Sequence, residues 1–525
     1  MKEKLIILET SDIHGAILPI QYGTNSRTDV GLAKLSSYIK ELQQTDEHVL
    51  LIDNGDFLQG TPLAANYVRS NQEEAHPMVK AMNHLSYDAA ILGNHEFNYG
   101  LGVLERAARD ADFPFLSCNI VNEEEEPFLG CPYIIKEFAN GMKAAVLGVS
   151  THYIPNWEKP DHISGLKFLD AVESVKKWVE YIHRHEQPDV MVVSYHGGFE
   201  VNLSNGEWIE RKEKGENQAY RICTEVDGID ILLTGHQHRR MAETVNGVTV
   251  VQPGFSGESI GQVTLELAKG DGRYIIESAT PHLIDAKTLK TDQDLIKLVE
   301  REERDTQRWL DEVIGYVEGD MKIDDPLTVR LAEHPLIELI NRVQMEAAGA
   351  DISSTALFHN GSPGLPNQVT MRDIVANYIY PNSLMVIEIS GDDMRRALER
   401  SASYFSLDHE ERPVVNPKFI YPKPQHYNYD MWEGISYCID LTKAEGSRVV
   451  SLTHQGEEVK SDRMYQVVMN NYRAGGGGDY FMFKGRKVLK EIQTDMSELL
   501  ARHFKKHGKV EAAVNHNWTI WYPGK

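Results

Sequence analysis

Short runs of consecutive apolar residues punctuate the first half of the chain, at 5–8, 49–52, 89–92, 144–149, 190–193 and 229–233. Such runs are continuous rather than alternating, as expected of strands buried on both faces. Between them, 32–42 and 172–182 place apolar residues at helical spacing. Apolar runs that alternate with helical stretches predict an α/β layered domain. Further along, Leu295, Leu298, Val299, Trp309 and Val313 recur among charges, which predicts one amphipathic helix over 291–316 with Thr291 as its N-cap. Gly319, Asp320 and a Pro-containing turn follow. A second domain then opens with a helix over 335–344, Pro335 taking the favoured first position. It mixes strands at 385–389, 435–440 and 465–469 with helices at 392–401 and 496–507. The expected division is 1–290, a linker helix and hinge over 291–325, and 326–525.

Composition narrows the function classes. A chain of 525 residues exceeds one ordinary core, and 41% hydrophobic with 25% charged residues suits packed interiors and a polar surface. The net charge of −24 argues against a duplex nucleic-acid binder or a protein held on an anionic membrane. It leaves room for a small anionic substrate gripped by metal ions, whose local charge outweighs a distant surface field. Residues 1–9 lack the apolar stretch and cleavage site of a secretory signal, and Cys118, Cys131, Cys223 and Cys438 form no C-x-x-C pair. Both features lead us to expect a cytoplasmic protein with reduced thiols.

The chemistry follows the strands. Thr10-Ser11-Asp12-Ile13-His14-Gly15, Asp53-Asn54-Gly55-Asp56, Gly93-Asn94-His95-Glu96, Tyr195-His196-Gly197-Gly198 and Thr234-Gly235-His236-Gln237-His238 each fall just after an apolar run. Sites in open α/β sheets form outside the carboxyl ends of the strands, so all five signals are expected at one edge. In extended chain, Asp12 with His14 and His236 with His238 would each point to one side. The resulting donors, Asp12, His14, Asp56, Asn94, His196, His236 and His238, are enough for two divalent cations. Nitrogen and oxygen donors without thiolate suit manganese, zinc, iron or cobalt. Any one of these residues alone reads as a turn residue or cap; their ordered occurrence behind five strands is what points to a site.

The ordered set D-x-H, G-D, G-N-H-E, H-G-G and G-H-x-H resembles the calcineurin-like metallophosphoesterases. Gly31-Leu32-Ala33-Lys34, Gln59-Gly60-Thr61-Pro62 and 93–100 are similar to the 5′-nucleotidase branch, as is the C-terminal half from Glu333-His334-Pro335-Leu336 to the glycine run 475–478. The resemblance implies a four-layer sandwich domain followed by a smaller α+β domain that recognises the nucleotide. It also implies two metals, manganese favoured: one held by Asp12, His14, Asp56 and His238, the other by Asp56, Asn94, His196 and His236. Such ions activate water and neutralise phosphoryl charge. His95 would stabilise developing charge or assist the leaving group. The family's usual aspartate partner for this histidine is replaced by Asn98, an amide that can orient the ring but brings no charge.

Asn98, with Asp29-Val30-Gly31-Leu32-Ala33-Lys34 and Tyr427-Asn428-Tyr429-Asp430, resembles the 2′,3′-cyclic-nucleotide 2′-phosphodiesterase/3′-nucleotidase subgroup. The arginine pair that 5′-nucleotidases place near an Asn-Gly turn is missing from His359-Asn360-Gly361-Ser362-Pro363, and the next arginine is Arg372. A 5′-nucleotidase or UDP-sugar hydrolase is the alternative. By resemblance, Tyr427 and Tyr480 would stack on the base, with Asn471, Arg473 and Asp479 bonding ribose or base, although Arg473 could instead brace the loop. Turnover would then require the two domains to close.

Overall fold

The computed structural model describes residues 2–46, 48–70, 74–203, 206–208, 215–270, 272–380, 382–421, 424–492 and 494–524. The apolar runs become parallel strands in two sheets. The first sheet runs in the order Arg273–Asp285, Ser259–Gly270, Lys2–Thr10, Val49–Asp53, Ala89–Ile91, Phe115–Leu116. The last four of these are mutually parallel. The second sheet runs Arg240–Val245, Val248–Pro253, Ile231–Thr234, Val190–His196, Lys143–Ser150, Tyr133–Glu137, with its four central strands parallel.

The two-residue period of a strand explains why the runs are apolar throughout. Leu5, Ile7, Leu50 and Ile52 share one core with Ala144, Val146, Val190 and Val192 of the second sheet. The intervening residues Ala145, Leu147, Val149, Met191 and Val193 pack instead with Val172, Val175, Val179 and Ile182, which lie on the helix Ala171–His185. On the first sheet, Tyr38 of the helix Leu32–Thr45 donates its hydroxyl to Gln262 of Ser259–Gly270. Helix, sheet, sheet and helix make up the four-layer sandwich.

The chain divides into two compact units, Met1–Thr306 and Gln307–Lys525. The expected linker helix over 291–316 is not one element. Gln293–Leu298 and Glu300–Leu310 are separate helices, and Val313–Glu318 is a strand. The first helix is capped by Asp292, not Thr291: its carboxylate accepts from the backbone N–H of Asp294 and Leu295. At the other end β-branched Val313, Ile314 and Val317 favour pairing, and the strand joins 368–370 and 509–511.

The second unit repeats the same logic. Its five-stranded sheet runs Asp430–Glu433, Ile352–Ala356, Met464–Asn470, Leu384–Ser390, Lys487–Ile492. Ile387, Ile389, Val467 and Met469 pack with Met394 and Leu398 on one face. Leu384, Val386 and Val468 pack with Leu336, Leu339, Ile340 and Val343 on the other. The helix Pro335–Ala348 begins with Pro335 at its first turn, as expected, and ends at Gly349 with φ 70°. Ser390 and Asp393 form a capping box at the start of Gly391–Ala402. No helix among the described residues is long and apolar enough to cross a membrane.

Candidate metal centre

Six of the seven candidate ligands lie just beyond the carboxyl ends of parallel strands, Lys2–Thr10, Val49–Asp53 and Ala89–Ile91 of the first sheet and Ile231–Thr234 of the second, and His196 is the last residue of the strand Val190–His196. They gather into two adjoining groups, Asp12 with His14 and His238, and Asp56 with His196 and His236. In the first, His14 Nε2 lies 3.1 Å from His238 Nε2, which is 3.5 Å from Asp12 Oδ1. In the second, Asp56 Oδ2 is 3.2 Å from His196 Nε2. Asn94 Oδ1 completes that group, 3.1 Å from His196 Nε2 and 2.9 Å from His236 Nδ1.

The backbone that presents them is not extended. Asp12, His14, Asp56, His236 and His238 all have φ between 51° and 66°, the left-handed region that residues with a Cβ seldom adopt. Asp12 and His14 do join one group, through left-handed turns rather than strand alternation, whereas for His236 and His238 same-side placement is corrected, since they join different groups. The turns are zipped together by backbone hydrogen bonds from Asp12, His14 and Gly15 to the carbonyls of Gly55, Asp56 and Phe57. Such local strain is held by surrounding structure and is characteristic of functional sites. Two of the glycines have steric duties. A Cβ on Gly93 would meet Asp56 Oδ1 at 2.3 Å, and one on Gly235 would meet Ser11 Oγ at 2.2 Å.

Neighbouring groups set which nitrogen each imidazole offers. The Nδ1 of His196 donates to the Asn54 carbonyl at 2.7 Å and that of His14 to the Gln59 carbonyl at 3.2 Å, leaving Nε2 toward the cluster. His236 is reversed, with Nε2 against Glu216 Oε1 at 3.0 Å and Nδ1 facing Asn94. Fixed tautomers of this sort are typical of metal-binding histidines. Burial pushes the His14 imidazole down to about 4, so it is held neutral, the form that ligates. Burial works against ionisation of Asp56, but the imidazoles of His196, His95 and His14 hold its carboxyl well below the usual range. The Nε2 atoms of His14 and His238 face each other at 3.1 Å, close enough for one cation to take both as ligands together with Asp12. The donor set fits divalent metal.

Glu96 has a role that sequence reasoning missed although it stands in the Gly93-Asn94-His95-Glu96 block. Its two oxygens accept the backbone N–H groups of Asp56, Gly93, Phe57 and Leu58 at 2.7–3.1 Å, clamping the turn that carries Asp56. Asn54 likewise ties the two sheets together, accepting from Ser194 Oγ at 2.6 Å and donating to the Tyr195 carbonyl at 3.1 Å. Half-buried His95 stands edge-on to His14, ring centroids 5.1 Å apart, and Asn98 Oδ1 accepts from its Nδ1 at 2.6 Å.

The candidate base contacts in the second unit fare differently. Tyr480 is 0% exposed: its hydroxyl bonds Ser401 at 2.7 Å and the Asn428 carbonyl at 3.2 Å, and its ring stacks on Phe483. The Arg473 guanidinium lies over it, 3.9 Å from the centroid. Tyr480 is thus a core residue, with no face open to a base in this structure. Arg473 is buried too, paired to Asp430 through Nε at 2.8 Å and Nη2 at 3.0 Å and bonded to the Tyr427 and Gly477 carbonyls. It braces the loop. Tyr427 is half-buried beside Tyr380 and Tyr472, with centroids 6.2 and 6.4 Å away. The Asn471 side-chain oxygen is buried without a hydrogen-bond partner, and exposed Asp479 accepts from Arg400 at 3.4 Å.

Paired carboxylate and imidazole groups at the carboxyl edge of a two-sheet α/β sandwich define a metallophosphoesterase. Residues 5–240 match the calcineurin-like phosphoesterase family, and residues 313–485 match the 5′-nucleotidase C-terminal domain. A Staphylococcus aureus protein described as a candidate 5′-nucleotidase, solved with alpha-ketoglutarate, has 34% sequence identity and a TM-score of 0.89, covering 99% of this chain and 100% of that one. The chain belongs to the 5′-nucleotidase family of calcineurin-like phosphoesterases, hydrolases of phosphoric esters that use divalent metals. It is 27% identical to the 2′,3′-cyclic-nucleotide 2′-phosphodiesterase/3′-nucleotidase of Salmonella typhimurium, over 98% of this chain and 88% of that protein. It is 26% identical to the trifunctional nucleotide phosphoesterase of Bacillus subtilis over 98% of this chain, which spans only 39% of that relative's length.

Proposed function

We propose that this chain opens 2′,3′-cyclic nucleotides at the 2′ ester and hydrolyses 3′-nucleotides to nucleoside and phosphate, with manganese as the favoured metal. The observation that carries the hydrolytic reading is the convergence of two adjoining nitrogen and oxygen donor groups on one strand edge. Similarity to the Salmonella protein supports the cyclic and 3′ preference. So does the Asn360-Gly361 turn. Arg330, the arginine beside it, is buried and donates to Asn360 Oδ1 at 2.9 Å, while Arg372 is engaged by Asp311 and Gln307.

Asp12, His14, Asp56 and His238 would hold one ion, and Asp56, Asn94, His196 and His236 the other. When bound, the ions would neutralise phosphoryl charge and activate the attacking water. The chain's own task is to hold the phosphate in line and meet the leaving sugar oxygen, which departs as a hydroxyl and so needs a proton. His95 would supply that proton. Tyr427 would supply a stacking face for the base and Asn471 an unused acceptor for its donors. A 5′-nucleotidase/UDP-sugar hydrolase is the second reading, favoured by the match of 313–485 to the 5′-nucleotidase C-terminal domain.

Turnover of 2′,3′-cyclic AMP, 3′-AMP and 5′-AMP with manganese separates the readings. Ring opening releases no phosphate, so nucleoside monophosphate is followed as well. Turnover of the first two substrates, lost in Asp56→Asn, is expected; activity confined to 5′-AMP would falsify the cyclic and 3′ assignment.

A further inference from the structure

His95 is the end of a chain of side chains. Asn98 Oδ1 accepts from its Nδ1 at 2.6 Å, and the other end of that amide, Nδ2, donates to Glu158 Oε2 at 2.6 Å. Glu158 lies between the short helical turns Ile154–Asn156 and Pro160–Ile163. Its second oxygen is occupied by His162 Nδ1 at 2.9 Å and by the Lys159 backbone N–H at 2.8 Å. The Glu158 side chain is 5% exposed, so its carboxylate is held in place rather than sampling solvent.

An asparagine by itself gives a histidine an ambiguous partner. Rotated by half a turn, it presents an N–H where it had presented an oxygen, and the imidazole must exchange tautomer to match. A carboxylate that only accepts removes that freedom, because it bonds Nδ2 and repels Oδ1. With Glu158 behind it, Asn98 keeps Oδ1 toward His95. Nδ1 then carries the hydrogen, and Nε2, which makes no hydrogen bond among the described residues, is left for the substrate. The His95 backbone is pinned as well, its N–H donating to Asp56 Oδ1 at 2.8 Å.

The geometry points to Glu158 as a positioning residue for hydrolysis, acting through Asn98 to keep the His95 Nδ1–H engaged and the ring directed so that Nε2 addresses the leaving oxygen. The inference deepens the role of His95 given above and rests on it. In the reaction the water oxygen bonds phosphorus as the ester P–O bond breaks; the sugar oxygen takes its proton from Nε2 of His95 in its imidazolium form, while Nδ1–H stays on Asn98, and water's second proton passes to solvent, from which Nε2 regains one. A sugar oxygen leaves poorly without that proton, whereas 4-nitrophenolate leaves without help.

The test compares kcat on the best nucleotide substrate with kcat on 4-nitrophenyl phosphate. It uses the metal-loaded parent, Glu158→Gln, Glu158→Asp, His95→Asn and the His95→Asn/Glu158→Gln double variant, with metal content measured for each. Glu158→Gln is expected to lower nucleotide kcat about ten- to a hundredfold, the usual range for a group supporting a site residue. The ratio of nucleotide to aryl kcat should fall by about fivefold or more. Glu158→Asp should recover part of the loss, and the double variant should be no slower than His95→Asn, since groups acting as a unit are not additive. Equal losses on both esters, lost metal in Glu158→Gln, or additive effects would overturn the inference and leave Glu158 a brace of its loop. If His95→Asn changes the ratio and Glu158→Gln does not, the inference alone fails. If His95→Asn leaves the ratio unchanged, the role of His95 fails with it.

Discussion

Residues 10–15, 54–56, 93–96 and 234–238 of the first unit and 471–480 of the second are all glycine-bearing segments at the ends of strands, yet they use their polar residues differently. In the first unit, seven nitrogen- and oxygen-bearing side chains converge, and the imidazole and carboxylate atoms of Asp12, His14 and His238, and of Asp56, His196 and His236, face one another at close range. In the second, Arg473 and Tyr480 complete a closed network with Asp430, Ser401 and the carbonyls of Tyr427, Asn428 and Gly477. A cluster of converging imidazole and carboxylate groups suits a cation, whereas a buried arginine paired to a buried carboxylate is structural. Loop position is shared by both; the difference lies in charge, because carboxylates and imidazoles gather among themselves in the first unit while Arg473 is paired to Asp430 in the second.

Several experiments can break this contrast. The largest effect is expected at Asp56. Asp56→Asn should cut phosphoesterase turnover by at least about a hundredfold, as loss of a charge-stabilising group does, and chelation should abolish activity that added manganese restores. Metal content and product release are the readouts, and a fully active, metal-free Asp56→Asn would end the account of the first unit. Next comes Arg473. Arg473→Ala would leave Asp430 buried and unpaired, so it should destabilise the second unit by about 3–5 kcal/mol in urea or thermal unfolding. A raised KM with stability intact would instead return Arg473 to the substrate. Tyr427→Ala should raise KM by about ten- to a hundredfold, corresponding to the 1–3 kcal/mol of base stacking. Tyr480→Phe should leave KM unchanged and remove about 1 kcal/mol of stability with its hydroxyl bonds.

The smallest effect is a pH dependence in the second unit. Glu338 lies against Glu433, whose oxygens already accept from Asn515 and Asn517 at 2.7 and 3.1 Å. Burial first, and the Glu433 charge second, raise the Glu338 carboxyl from its ordinary 4.5 to about 8. The folded state therefore keeps a proton that the unfolded chain gives up near 4.5, and stability is lost as pH rises from there through about 8. Glu338→Gln should raise the melting temperature little at pH 5 and by about 2–4 °C at pH 8. Equal shifts at both pH values would show that Glu338 stays ionised.

Much of this was legible in the residues. The apolar runs foretold the parallel strands because burial on both faces demands them, and donors placed just after such strands could only reach the carboxyl edge. The helix 496–507 forms at its expected ends, Met496–His507. The segment 291–316 misled because helical spacing also fits two short helices and the first residues of a strand; the cap at Asp292 and the pairing of Val313–Glu318 depend on partners far along the chain.

By itself the sequence determined the layered class and pointed to two units and a candidate ligand set, all of which follow from local periodicity and from residue types tied to particular strands. Only tertiary structure decided the rest: which histidine nitrogen faces the cluster, which turns adopt left-handed backbone, that Glu96 clamps the Asp56 turn, that Glu158 stands behind Asn98, and that Tyr480 is core rather than contact. These are matters of which distant partner reaches a group first, and a hydrogen bond made across 60 residues of chain leaves no periodic trace along it.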